Sequence, residues 1–356
     1  MENLNKRLRG EGDIMNLTGN CMTTAMGVMP HTDVERAIEI ALTLDIPYWP
    51  QLPKFSFKED MYAQISEHFP GIILDEKEEK IRLDVQAFYE NLITYIENSE
   101  NEDYFKLSSD YSVSLNKFLQ QDLSRYSTIR GQVIGPVSYG LKIFDLDLKP
   151  IIYTDEVRVL LFDFIARKIN TQYSQLTEKN KNAFVWVDEP GLEFIFGSFT
   201  GYPSSRAKED YTQFLASIKG PRGVHLCGNP DWSFLLKELE LDILSVDTFG
   251  WGHIFTRYVA DVKAFLERGG IISWGIVPTL TEEISQESIN SLIDKLETFW
   301  NYLSDHGINK ELIFKNAWLA PARCCLINAD KMISVERAFQ VLKEISLRLR
   351  DKYKLY

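Results

Sequence analysis

Gly223-Val224-His225-Leu226-Cys227-Gly228-Asn229 reads as a short buried strand that stops on two turn formers. Alternate side chains of a strand share one face, so His225 and Cys227 point the same way, toward whatever lies beyond its carboxyl end. Seven further apolar runs end similarly in turn formers or acids, at residues 21–29, 46–52, 131–137, 184–187, 243–246, 271–276 and 317–320, and segments of helical periodicity separate them. Eight such units predict an α/β fold, a (β/α)8 TIM barrel, whose strands present their carboxyl ends to the active site. A doubly wound sheet shares the alternation, but neither GxGxxG nor a P-loop pattern occurs, and the strand count favours the barrel.

Between the second and third runs, residues 54–130 read as an insertion holding a hairpin at 72–83 and two or three amphipathic helices. Thr32-Asp33-Val34-Glu35 reads as a capping box opening a helix to about Leu44, and another helix spans about 334–353. No Pro-, Gly- or Ser-rich linker divides the chain, so residues 1–356 are expected to form one barrel domain with the insertion inside it.

The 356 residues are 45% hydrophobic and 25% charged, enough apolar material for a large core without staples. A formal charge of −12 disfavours nucleic acid and anionic membrane as partners, because a polyanion is repelled before specific contacts form. The amino terminus lacks the apolar core of a signal peptide, and no apolar stretch is long enough to cross a bilayer, which points to the cytoplasm. Four cysteines in such a chain do not make a disulfide scaffold. Cys21 lies in an apolar run as a buried small hydrophobe; Cys227, Cys324 and Cys325 stand beside turns.

A catalytic zinc takes three nitrogen or sulfur ligands and keeps a fourth position open. His225 and Cys227 supply two, and Ala320-Pro321-Ala322-Arg323-Cys324-Cys325 follows the last run and reaches the same end of a barrel. Asp247, closing the sixth run, adds an oxygen donor. The fourth run ends in Asp188-Glu189-Pro190; adjacent strand residues face opposite ways, so one carboxylate enters the mouth, and Asp188 is the candidate substrate anchor. Trp186, Trp251 and Trp274 near strand ends read as core more than as a stacking wall, and His253 as a surface loop residue.

Together these segments resemble the superfamily of cobalamin-independent methionine synthase, methylcorrinoid:coenzyme M methyltransferases and uroporphyrinogen decarboxylase. The likeness spans most of the chain and rests on residues 23–30, 187–192, the His225/Cys227 segment, residues 243–247, and Cys324 before Leu326. It implies a Zn2+ site of His225, Cys227 and Cys324, with Asp247 able to complete the shell and Cys325 as second choice to Cys324. It implies that Asp188 holds a substrate amino group, with Gly27, Val28, Met29 and Glu189 among the substrate contacts. The activity implied is methyl transfer to a thiol, homocysteine or similar, from a methylcorrinoid, carried on a corrinoid protein or free, or from a methylated folate. Trp274-Gly275-Ile276-Val277-Pro278 lacks the histidine of the methionine synthases, and no acid follows Gln51 before Glu59. The HxCGN form of residues 225–229 and the missing histidine are closer to the corrinoid-linked enzymes, and the missing acid leaves the thiol acceptor open. Two alternatives are a metal-free lyase of the decarboxylase type, weakened by the absence of Arg from residues 27–33, and a non-catalytic corrinoid or thiol binder.

Overall fold

The computed structural model describes residues 17–195, 201–324 and 328–356, so Cys325 lies outside the described residues. Its strands are β1 Met22–Thr23, β2 Ile72–Asp75, β3 Lys80–Leu83, β4 Ile129–Ile134, β5 Phe144–Asp145, β6 Ala183–Asp188, β7 Arg222–Leu226, β8 Ile243–Val246, β9 Ile271–Val277 and β10 Ala317–Pro321. Seven form one parallel sheet in the order β1-β10-β9-β8-β7-β6-β4. The architecture is a curled α/β sheet of the TIM-barrel kind, with helices along the connections.

The run expected at 46–52 is not a regular strand. Pro47 and Pro50 withhold two ladder donors, leaving isolated bridges. Those bridges nonetheless join the sheet's two edges. Ile46 N–H donates to the Thr23 carbonyl at 3.0 Å, Gln51 N–H to Gly27 at 2.8 Å, and Arg130 N–H to Pro47 at 3.0 Å. The first run shrinks to β1, its start bent by Asn20 and Cys21 in left-handed backbone at φ 48° and 55°. The third ends at Ile134, because Pro136 opens the helix Pro136–Lys142 at a position where its missing N–H costs nothing. The other strands lie within two residues of their expected bounds.

Between residues 54 and 128 lie the antiparallel pair β2/β3 and the helices Met61–Ser66, Val85–Asn98 and Val113–Phe118, while β5, outside this stretch, adds parallel to β3. The early helix is Val34–Ala41; its cap is Asp33, which accepts from Arg36 N–H at 3.1 Å, and not Thr32. The late helix is Ile333–Tyr353. No described helix is long and apolar enough to cross a membrane.

Strand alternation builds two cores. Phe184, Trp186, Ile243, Ile271, Trp318 and Ala320 pack with Met26 and Ile46 inside the curled sheet. Their neighbours Val185, Val187, Val224, Leu226, Leu244, Val246 and Leu319 face the helices in a larger outer core. The interior parity continues to Asp188, His225, Cys227, Ser245, Asp247 and Gly275 at the carboxyl ends.

Candidate active site

In register, Asp188 pairs with His225 and His225 with Ser245, which sets three interior polar side chains side by side on β6, β7 and β8. His225 Nδ1 lies 2.9 Å from Ser245 Oγ, while Nε2 is buried without a partner. The ring stacks on Trp186 at 5.7 Å and 19°. Burial, with Arg130 adding to it, pushes the imidazole pKa down to about 3, so the ring is neutral at pH 7. With Nδ1 donating to Ser245, Nε2 presents a lone pair.

Cys227 follows two residues later on the same face. Burial raises its thiol pKa, and the charges of Cys324, Asp188 and Asp247 raise it further, so each of these three groups stands within electrostatic reach of Cys227. Cys324 packs against the interior cluster from the β10 side. Among the described residues, no three His, Cys, Asp or Glu side chains gather as a metal cage. Of the expected three, Cys227 and Cys324 stand within electrostatic reach of each other, and His225 precedes Cys227 by two residues on the interior face of β7.

Asp188 is 7% exposed, and no hydrogen bond from a described residue supports its carboxylate. Burial lifts its pKa to about 7, against the opposing pull of Arg130. Glu189, which the resemblance places among the substrate contacts, turns away from Asp188: its Oε1 accepts from Ser138 N–H at 2.6 Å and Ser138 Oγ at 2.5 Å, in the first turn of Pro136–Lys142. Opposite parity on an extended segment forces that separation. Asp247 Oδ1 accepts from Gly250 N–H at 2.9 Å, capping the helix Thr248–Phe255, and Oδ2 lies 4.0 Å from Arg323 Nε.

Gly27, Val28 and Met29 are structural in their surroundings. A Cβ on Gly27 would stand 2.5 Å from Gln132 Cδ; Val28 bridges Gln51, and Met29 is 1% exposed with its sulfur accepting from Tyr48 Oη at 3.3 Å. Of the three tryptophans only Trp186 faces the interior; Trp274 belongs to the outer core, and Trp251 is half-buried on Thr248–Phe255. His253 is exposed on the same helix. Glu59 is buried against Ser112 and Ser114, bonding the latter's N–H at 3.0 Å, and does not replace the missing acid after Gln51. Within the histidine-free segment 274–278, a side chain at 275 is blocked: Cβ would come within 2.6 Å of the Val246 carbonyl.

Three residues escaped the sequence reading. Arg130 on β4 lies inside the sheet at 0% exposure, its guanidinium 3.7 Å over Trp186 and 4.7 Å from Tyr48. It bonds Thr24 Oγ1 at 2.9 Å and Gln132 Oε1 at 3.0 Å, and leaves Nη2 unpaired. A charge within an otherwise apolar strand was the available signal. Ser245 was legible as the interior residue two before Asp247. Tyr62 carried none: it comes from Met61–Ser66, stacks on Tyr139 at 6.1 Å, and feels the charges of Asp188, Glu189 and Cys324.

No family model and no curated protein sequence matches the chain. Solved structures do. A B12-independent methionine synthase from Shewanella sp. W3-18-1, in complex with selenomethionine, has a TM-score of 0.51 at 11% identity over 93% of this chain and 98% of its own. A methyltransferase from Methanosarcina mazei has a TM-score of 0.52 at 14% identity, covering 99% of this chain and 98% of its own. At such identities the likeness is one of fold.

Proposed function

We propose that this chain is a zinc-dependent methyltransferase acting on a small thiol, with His225, Cys227 and Cys324 as the metal ligands and Asp188 as the acceptor's anchor. One observation carries the reading: a buried imidazole, oriented through Nδ1 by Ser245 and bare at Nε2, at the strand ends that also bring Cys227 and Cys324 within electrostatic reach of each other. The donor set suits zinc, which prefers nitrogen and sulfur. Bound there, zinc would supply the positive charge that makes an acceptor thiol nucleophilic at neutral pH.

The rest falls to the chain itself. The unsupported Asp188 carboxylate accepts a hydrogen bond from a cationic or donor group of the acceptor, and it is ionised above about pH 7. The walls formed by Trp186 and the interior core exclude water from the reacting sulfur. The methyl donor is a methylcorrinoid or a methylated folate. Fold neighbours titled methionine synthase and methyltransferase support this reading.

Metal analysis of wild type and Cys324→Ser tests it, alongside transfer from methylcobalamin or a methylated folate to homocysteine or coenzyme M. Wild type is expected to hold one zinc per chain and to transfer methyl, and Cys324→Ser to lose both. Equal zinc and equal turnover in the two proteins would overturn the assignment, and full turnover by metal-free protein would favour a lyase-type site.

A further inference from the structure

The stretch bearing Cys324 is tied on both sides of that cysteine to one short segment after β9. Ala322 N–H donates to the Val277 carbonyl at 2.7 Å, carrying the β9–β10 pairing to two residues before the thiol. Thr279 then holds both flanks: its hydroxyl donates to the Arg323 carbonyl at 3.1 Å, and its carbonyl accepts from the Asn328 side-chain amide at 2.9 Å. Thr279 is 2% exposed. Thr281 repeats the tie, its N–H donating to Asn328 Oδ1 at 3.3 Å and its hydroxyl to Asp330 at 3.2 Å. From the outside, Arg323 Nη2 donates to Glu283 Oε1 at 2.7 Å.

A thiol on a turn anchored only at its strand end samples many positions, and ligand or substrate geometry is lost with displacements of about 1 Å. Here the residue before Cys324 is fixed through its carbonyl and its side chain, and the chain is fixed again at Asn328. These ties originate from residues 279–283, where the sequence provides no histidine. We infer that Thr279, assisted by Arg323 and Asn328, is the positioning residue that sets where the Cys324 thiol stands at the barrel mouth. The metal side of this role rests on the methyltransferase reading above; the tethering of the thiol does not.

Thr279→Val keeps the side chain's shape and removes its donor, and Thr279→Ser restores the donor. In the full chain, cobalt(II) titration followed by thiolate-to-cobalt absorption reads ligand placement. Alkylation of Cys324 in metal-free protein, resolved from Cys325 by tandem mass spectrometry, reads the thiol alone. Thr279→Val is expected to bind cobalt about 10-fold more weakly, as outer-shell changes do, and to change the alkylation rate severalfold, with Thr279→Ser close to wild type in both. If Thr279→Val does not fold, Asn328→Ala removes the side-chain ties to Thr279 and Thr281, Arg323→Met removes the outer tie to Glu283, and both are read by the same measures. Variants indistinguishable from wild type in both readouts overturn the inference. A wild type that binds no cobalt overturns the zinc assignment instead, and the alkylation series then decides the tether by itself.

Discussion

His225 has one nitrogen bonded to Ser245 and one bare inside the protein, and a buried polar atom without a partner costs about 1–3 kcal/mol. That cost is offset when a ligand completes the atom, which is why the unpaired Nε2 weighs more than the presence of a histidine. Ser245 Oγ, when it accepts from Nδ1, holds the ring in the tautomer and orientation a metal ligand needs. Ser245→Ala is therefore expected to weaken zinc binding by about 10-fold or more while costing only about 1 kcal/mol of stability, the value of one neutral hydrogen bond. A competition titration with a chromophoric chelator, paired with urea unfolding, separates the two effects. Unchanged affinity would mean that Ser245 packs against the ring without setting it.

At the scale of elements, Asp247 shows how one carboxylate caps a helix and meets a side chain beyond β10 at once. Its Oδ1 is committed to Gly250 N–H, leaving Oδ2 toward Arg323. Aspartate and asparagine cap helices about equally, whereas alanine loses about 1 kcal/mol. Asp247→Asn is thus expected to retain stability and zinc content, and Asp247→Ala to lose about 1 kcal/mol in denaturant unfolding; zinc lost from the asparagine variant alone would show Asp247 to be a ligand. The same scale shows what sequence periodicity resolves. β6 to β10 were legible because unbroken apolar runs between turn formers leave a buried strand little choice. The segment 46–51 was not, since its apolar count matches a strand while Pro47 and Pro50 delete the ladder donors. Parity beside Asp188 already turns Glu189 from the mouth; what nothing local shows is that its partner is Ser138, about fifty positions earlier.

Over the whole molecule, convergence at the carboxyl ends was legible from alternation alone for His225, Cys227 and Asp188. Arg130, Tyr62 and the Thr279 tie depend on contacts between distant segments that no local pattern encodes. Two further long-range contacts, together with buried Asp188, contribute to the pH response of the fold. Glu59 and Glu189 are 1% and 0% exposed, each bonded to serines of another segment, and burial raises their pKa values from 4.5 to about 7 and about 8. Between pH 4.5 and about 8 the native state keeps protons that the unfolded chain has released. Stability then falls as pH rises, because its slope follows the unfolded minus the native proton count, and that difference is negative. Above about pH 8 both states are ionised and the contribution levels off. The midpoint of urea unfolding is therefore expected to decline from pH 5 to pH 8 in metal-free protein. Glu189→Gln, which cannot ionise, should lessen the decline across the whole window up to about pH 8, and Glu59→Gln only the part below about pH 7. A wild-type midpoint that climbs across the window would mean that both carboxyls are ionised in the native state, with partners strong enough to outweigh their burial.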